Sequence, residues 1–305
     1  MAIAGILLIV SWEGCNPLPF QFFSRIVGRS IAPTELVPNK VADPIRKDVR
    51  LSVLWIGHAS TLIQIHDKVF LTDPIFTKTV GMLAKRSVEP GINPASISRV
   101  DFTLISHTHM DHFSYGTLTT IPRQGRLFVP PNALEYVPEL GFAETLEMQW
   151  WKTVERDRVK ITSVPVQHFS GRYGFDSPWM YNTGYNGYII EYAGVTVFFG
   201  GDLGYNSTLY KDIGVKFKID LALLPIAPVE PRDFMKRIHT DPAEALQVFE
   251  DVGAQWMIPI HHSTMYQGLE PRLSFAKEEL DSIVTARGMG DRVFILRFGE
   301  QKVWE

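Results

Sequence analysis

The stretch His107-Thr108-His109-Met110-Asp111-His112 comes directly after the apolar segment DFTLIS at residues 101–106. On extended backbone, side chains two residues apart point to the same side, so His107 and His109 can reach one metal ion. Asp111 and His112 then lie on the following turn, where they can serve a second ion. A solvated His-rich loop is the plainer interpretation, but such a loop would not require an aspartate here. The stretch therefore predicts a two-metal site at the end of a buried strand.

Short β-rich runs, separated by Pro and Gly, surround this stretch and indicate a sheet-based core. They are predicted at residues 51–56, 61–65, 68–72, 101–106, 126–130, 159–164, 187–192, 195–200, 222–226 and 256–260. Ala193-Gly194 joins two of them and predicts a tight hairpin. Asp241, Pro242 and Glu244 predict the capped start of a helix that ends at Gly253. A second helix is predicted from about Ser274 to Arg287, ending at Gly288.

The composition excludes several classes of protein. The chain has 305 residues, 45% of them hydrophobic and 21% charged, which is typical of a globular protein and not of a disordered one. With 30 basic and 33 acidic residues the net charge is −3, so a nucleic-acid partner is not expected. Cys15 is the single cysteine, which excludes an internal disulfide and a Cys-rich zinc site. Metal ligands must therefore be His, Asp or Glu.

The N-terminal residues are considered separately, because their apolar character is compatible with several roles. Residues 2–12 are apolar or small but cover about half the length of a membrane-spanning helix, so we expect no transmembrane span. A signal-peptide core, a lipoprotein site at Cys15 and a buried extra segment remain alternatives. Phe20, Phe22 and Phe23 beside Arg25 could rest on a lipid interface or pack on the main domain. We predict an N-terminal extension over residues 1–47 and one main domain over 48–305. A cytoplasmic or membrane-peripheral location is favoured, with export as the alternative.

The motif H-x-H-x-D-H after a buried strand resembles that of the metallo-β-lactamase superfamily. Three further residues follow strands in the order that this family has: His168 in VPVQHF, Asp202 in VFFGGDLGY and His261 in MIPIHHS. The resemblance implies an α/β fold, the four-layered αββα sandwich. It also implies two zinc ions, with iron or manganese as alternatives. One ion would be held by His107, His109 and His168, and the other by Asp111, His112 and His261, with Asp202 bridging.

Further motifs resemble the N-acyl-phosphatidylethanolamine phospholipase D group, while ascorbate-phosphate lactonase-like members are more distant. They are WIGHAST (55–61), LTDPIF (71–76), EPRDFM (230–235) with HTDP (239–242), and IHHST (260–264). The resemblance makes His239 a substrate-contacting residue and Asp111 the group that orients a metal-bridging hydroxide for attack on phosphorus. The sequence departs from the group at His262 and Ser263, where an aromatic residue and Gly are expected. This departure leaves the substrate open.

The implied function is a binuclear metal-dependent hydrolase, a phosphodiesterase acting on a lipid or small molecule. A lactonase or amidase using the same zinc site is the alternative. An iron-bearing oxidoreductase could use a similar ligand set. A non-catalytic binding module would have a degraded set, and this one is complete. Oligomeric state is not indicated.

Four other polar residues need interpretation, and for three of them two roles are open. His58 after a strand is either a residue behind the metal ligands or a structural histidine. Asp73 could accept the free ring N–H of a metal-ligating histidine, or it could simply form an Asp-Pro turn. His66 is predicted at a hairpin tip. His262 competes with His261 as the ligand, since neighbours on extended chain point oppositely and only one should bind. The resemblance favours His261.

Overall fold

The computed structural model describes residue 21, residues 24–25, residue 28 and residues 32–81, 84–173 and 183–305. The expectations for the apolar run at 2–12, for Cys15 and for Phe20, Phe22 and Phe23 lie outside the described residues. Residues 32–47 lie against the rest of the chain: Lys85 donates to Ala32 O at 2.7 Å, and Glu35 N donates to Ser87 O at 2.8 Å. The division at residue 47 stays a prediction.

The first sheet has seven strands in the order β15-β1-β2-β3-β6-β7-β8. Strand β1 alternates its side chains between two apolar environments: Leu51, Val53 and Trp55 face the second sheet, while Leu54 and Ile56 face outward. Burial on both faces explains why the central strands are continuous apolar runs. The bounds are β1 Leu51–Gly57, β2 Ser60–Ile65, β3 Lys68–Thr72, β6 Phe102–Leu104, β7 Arg126–Val129, β8 Glu144–Glu147 and β15 Gln301–Trp304.

The second sheet has six strands in the order β14-β13-β12-β11-β10-β9. Strands β12, β13 and β14 run parallel, and β10 and β11 are joined to them by antiparallel pairing. A small hairpin of β4 (Thr79–Val80) and β5 (Ala84–Lys85) stands apart. The bounds are β9 Thr153–Arg156, β10 Val159–Val164, β11 Gly187–Tyr192, β12 Val195–Phe199, β13 Leu221–Pro225 and β14 Trp256–Ile260.

Helices cover the outer faces of the two sheets. The three longer helices, α2 (Ser207–Lys216), α4 (Pro242–Asp251) and α5 (Phe275–Arg287), bury apolar side chains against the second sheet. The first sheet is covered more thinly, by α1 (Tyr115–Leu118) and by loops whose apolar side chains include Phe113 and Ile121. Helix α3 (Arg232–Met235) is a single turn. The arrangement is the expected αββα sandwich.

Both predicted helix starts and the hairpin are confirmed. Asp241 and Glu244 form a reciprocal capping box at α4, and Gly288 ends α5 in the left-handed conformation at φ 64°. Ala193 and Gly194 have positive φ, as a tight turn between twisted strands requires. The strand predicted at 101–106 is shorter, because the chain leaves the sheet after Leu104 and carries His107 away from it.

Several elements were not predicted from the sequence: β8, β9, β15 and α2. The three strands are partly exposed and mix charged with apolar residues, so they carry no clear apolar run. Helix α2 starts at Asn206, whose side chain accepts from Leu209 N and caps the helix. Among the described residues, no helix is long and apolar enough to cross a membrane.

Candidate metal centre

The first cluster consists of His107, His109 and His168. His107 follows β6 and His168 follows β10, and their donor atoms lie with that of His109 within 4.8 Å of one another. His107 Nε2 is 2.8 Å from His109 Nδ1. His109 O accepts from the backbone N–H of His112, which turns the chain directly after the two histidines. The predicted turn over Asp111 and His112 is therefore present.

The second cluster consists of Asp111, His112 and His261. His261 Nε2 lies 3.2 Å from His112 Nε2 and 3.7 Å from Asp111 Oδ2, and His112 Nε2 lies 3.4 Å from the same oxygen. Asp111 and His112 come after β6 of the first sheet, whereas His261 follows β14 of the second sheet. The second cluster therefore combines residues from both sheets. The three donor atoms face one another, with His112 and His261 buried and Asp111 partly exposed.

Asp202 lies between the two clusters. Its Oδ2 is 3.9 Å from His107 Nε2 and 3.8 Å from His168 Nε2 on one side, and 3.2 Å from His112 Nε2 on the other. Its Oδ1 is 3.1 Å from His261 Nε2. Gly201 makes this approach sterically feasible, because a Cβ there would lie 2.5 Å from Ser106 Cβ. The structure thus brings all seven predicted ligands together; that they bind metal ions as assigned stays a prediction.

Asp73 is a fully buried carboxylate that reaches both clusters. Its Oδ2 is 2.6 Å from His112 Nδ1, and the same oxygen accepts from Ser106 Oγ at 2.5 Å. Ser106 Oγ is in turn 2.9 Å from His107 Nδ1, and Ser106 N donates to Asp73 Oδ1. These contacts hold Nδ1 of both rings and leave Nε2 of each ring directed at the centre.

Backbone carbonyls hold the Nδ1 atoms of two other histidines. His168 Nδ1 donates to Ile238 O and His261 Nδ1 donates to Ala227 O, each at 2.8 Å. A carbonyl oxygen only accepts hydrogen bonds, so each neutral ring keeps its lone pair on Nε2. The tautomers are therefore those that a metal ligand needs.

Three polar residues at the centre hold left-handed backbone conformations that residues other than glycine rarely adopt. The φ angles are 57° at His58, 33° at Asp73 and 60° at His261. Each costs about 1 to 3 kcal/mol, which the surrounding hydrogen bonds and packing must offset. All three lie just after a strand, where this conformation turns the side chain toward the sheet edge.

The protonation states follow from burial and charge. Burial lowers the pKa of His168 to about 3 and, together with the neighbouring imidazoles, holds the pKa of His107 well below its usual value. Burial also opposes protonation of His261, but the Asp202 and Asp111 carboxylates outweigh it and raise the pKa of His261 to about 9. The same balance holds the pKa of His112 well above its usual value. The two carboxylates thus draw positive charge into the second cluster.

This donor set fits a pair of divalent ions. Zn–N bonds of about 2.0–2.1 Å place two ligand atoms roughly 3.3–3.5 Å apart around a tetrahedral ion, close to the spacings of 3.2, 3.4 and 3.7 Å found in the second cluster. His168 Nε2 is buried without a hydrogen-bond partner among the described residues, an arrangement that a bound cation would satisfy. A cation would also supply the positive charge that Asp111 and Asp202 otherwise draw from His112 and His261.

A cleft of about 360 Å³ opens over the clusters. Its floor is polar and one wall is apolar, a combination typical of small-molecule sites. His239 lies at the boundary, with Nδ1 3.7 Å from Asp202 Oδ2, and burial holds its pKa well below the usual value. It could therefore contact a bound substrate as a neutral ring, although it is also near enough to the clusters to bind metal. The lining residues are His109, Asp111, Phe169, Asp202, Pro228, Phe234, Met235, Ile238, His239 and Gln267.

Other predicted residues have clear positions. His58 contacts Asp111, with 3.0 Å between Nε2 and Oδ2, so it lies beside the second cluster. His262 points away from the clusters and stacks on Trp55, with ring centroids 4.4 Å apart. His66 lies in the turn between β2 and β3, as predicted. Sequence reasoning missed Ser106 and Gln267, the second of which donates to Asp111 Oδ2. The only local signal for Ser106 is its position before the first ligand.

Sequence comparison agrees with this geometry. Residues 68–262 match the family model described as the beta-lactamase superfamily domain. An N-acyl-phosphatidylethanolamine-hydrolyzing phospholipase D of Caenorhabditis elegans is 28% identical over 288 residues, which cover 88% of this chain and 80% of that protein. A metal-dependent hydrolase of Methanopyrus kandleri is 27% identical over 251 residues, covering 82% of this chain and 98% of that protein.

Structural comparison gives the same fold. The crystal structure of an isothiocyanate hydrolase from Delia radicum gut bacteria superposes with a TM-score of 0.67 at 17% sequence identity, covering 83% of this chain and 99% of that one. The family match spans more than half of the chain, and the seven expected ligand positions meet beside the ends of strands from both sheets. This chain belongs to the metallo-β-lactamase superfamily and is a metal-dependent hydrolase.

Proposed function

We propose that the chain is a phosphodiesterase of the N-acyl-phosphatidylethanolamine phospholipase D type, working with two zinc ions. The observation that carries the proposal is the pairing of the two clusters across Asp202 beneath a cleft that has His239 at its edge and an apolar wall. The similarity to the Caenorhabditis elegans phospholipase over most of both chains supports the same substrate class.

The proposed roles follow from the positions of the side chains. The first cluster would hold one ion and the second cluster the other, and the carboxylate of Asp202 lies close to the donor atoms of both clusters. Bound together, two divalent ions lower the pKa of a water molecule toward neutrality and stabilise negative charge on phosphoryl oxygen. Asp111 would accept a hydrogen bond from the attacking water and so orient it. Hydrolysis would form a bond from the water oxygen to phosphorus and break the bond from phosphorus to the ethanolamine oxygen, which would take up the proton that the water loses and leave as the N-acylethanolamine.

His239 acts as a hydrogen-bond donor in this proposal. Because burial keeps its ring neutral, it carries one N–H and one lone pair. Its N–H can donate to a phosphoryl oxygen as charge develops there, which is the kind of interaction that favours the transition state. The apolar wall formed by Phe169, Phe234, Met235 and Ile238 would contact the acyl portion of a lipid.

A substrate panel tests the proposal. Purified protein with quantified zinc is assayed on N-acyl-phosphatidylethanolamine in mixed micelles, and on lactones and amides of matched chain length. We expect release of phosphatidic acid and N-acylethanolamine, with the phosphodiester turned over fastest. Faster turnover of a lactone or amide, with no phosphatidic acid formed, would replace the phosphodiesterase by the lactonase or amidase alternative. Vesicle sedimentation with the same protein tests the expected peripheral membrane contact.

A further inference from the structure

Two N–H donors from distant parts of the chain meet at one oxygen of Asp111. His58, from the turn after β1, has Nε2 3.0 Å from Asp111 Oδ2. Gln267, from the loop that follows His261, donates its Nε2 hydrogen to the same oxygen. This oxygen also faces the Nε2 atoms of His112 and His261. The orientation of Asp111 is therefore set by two residues outside the predicted ligand set.

The protonation of His58 follows from the chemistry of its partner. A metal-binding carboxylate is ionised and only accepts hydrogen bonds, so the His58 ring must carry its hydrogen on Nε2. A nitrogen that carries this hydrogen has no lone pair for a metal ion. Although the donor atom of His58 lies close enough to Asp111, His112 and His261 to form a fourth ligand, its hydrogen bond assigns it a different role.

The position of His58 is also rigidly held. Its carbonyl accepts from Trp55 Nε1 and from the backbone N–H of His261, both at 2.9 Å. Its own N–H donates to Thr264 Oγ1 at 2.6 Å. Its ring lies 3.9 Å from that of His261, measured between centroids. His58 is thus tied to the loop that carries the last residue of the second cluster.

Gln267 is placed differently, because it is only partly buried and lines the cleft beside Asp111. Its loop is anchored next to it: Leu269 N donates to Glu230 O at 2.8 Å, and Glu270 accepts from Val229 N. An anchored amide beside the substrate cleft can hold Asp111 without itself being a ligand.

We propose that Gln267 is a positioning residue which, together with His58 as an Nε2–H donor, holds Asp111 in the orientation that the second ion requires. The proposal rests on the ligand set of the proposed function. Donors behind metal ligands typically contribute about 10- to 100-fold in metal affinity. The contribution should be confined to the second ion, because Gln267 has no described contact with His107, His109 or His168.

Stepwise loading of chelator-treated protein with Co²⁺ tests this, with bound metal counted by mass spectrometry and each step followed in the visible absorption spectrum. Gln267→Met, which keeps the side-chain length but removes the donor, should weaken the second step by about 10-fold or more and leave the first unchanged. Gln247→Met on the exposed face of α4 is the matched control and should change neither step. His58→Gln, which retains an N–H donor, should bind the second ion more tightly than His58→Leu.

Three results would overturn the proposal. An unchanged second step in Gln267→Met would remove Gln267 from the role. Equal weakening of both steps would indicate general damage to the fold. Loss of the second ion in His58→Gln, to the same degree as in His58→Leu, would make His58 a ligand. Asp111→Ala distinguishes these from failure of the ligand set itself: retention of both ions there would refute the assignment of Asp111.

Discussion

Replacing Asp73 by Asn should weaken both metal positions at once, because this single carboxylate contacts one cluster directly and the other through Ser106. His112 Nδ1 and Ser106 Oγ both meet Asp73 Oδ2, and Ser106 N donates to Oδ1. An Asn side chain has one accepting oxygen and one NH₂ group. If the oxygen takes the Oδ2 position, the NH₂ group faces Ser106 N, and a buried donor loses its acceptor.

The expected magnitudes follow from these contacts. One unsatisfied buried donor costs about 1 to 3 kcal/mol, so the metal-free protein should lose that much free energy of unfolding. Loss of a carboxylate behind a metal-binding histidine costs about 10- to 100-fold in affinity, or about 1.4 to 2.7 kcal/mol. In Asp73→Asn the affinity should fall by this factor for both ions. Ser106→Ala breaks the hydrogen-bond path from Asp73 to His107 but leaves the direct contact between Asp73 and His112, so it should act mainly on the first cluster.

Competition with a chromophoric chelator measures the two affinities, and urea unfolding of the metal-free protein measures stability. Intact affinity at both positions in Asp73→Asn would refute the reasoning. A Ser106→Ala variant that lowers metal affinity at the second cluster as much as at the first would also refute it. The hydrogen-bond path through Ser106 would then not act on the first cluster alone.

Three further results are expected. Purified protein should contain close to two transition-metal ions per chain; His107→Ala should lose metal and activity together and His66→Ala neither, and full occupancy in His107→Ala would contradict the site. His261→Ala should lose the second ion while His262→Ala, whose ring stacks on Trp55, keeps it; the opposite metal counts would move the ligand by one residue. His239→Ala should keep both metals and the fold but lose about 10²-fold in kcat on a phosphodiester, as when one donor to a developing charge is removed. Unchanged kinetics in that variant would exclude His239 from the reaction and weaken the phosphodiesterase proposal.

The strands at the centre of the fold were predictable because they are buried on both faces. Segments such as residues 187–192 and 256–260 are largely apolar, and their bounds agree with the structure. The strands at the edges of the first sheet, β8 and β15, were not predictable. They are partly exposed, and their polar residues interrupt any apolar run. The start of α4 was predictable from the local sequence, because its capping box is formed by two residues that are three positions apart.

The sequence by itself determined the types of the candidate ligands and much of their order, since His107, His109, Asp111 and His112 are neighbours whose geometry follows from a strand and a turn. Only the tertiary structure decided what surrounds them. His261 meets His112 across 149 residues, and Gln267 meets Asp111 across 156. Contacts between such distant residues depend on how two sheets pack and where their strands end, and no local periodicity encodes that. The different positions of His261 and His262 have the same origin: with a backbone φ of 60°, His261 places its ring beside Asp111 and Asp202, while the ring of His262 stacks on Trp55.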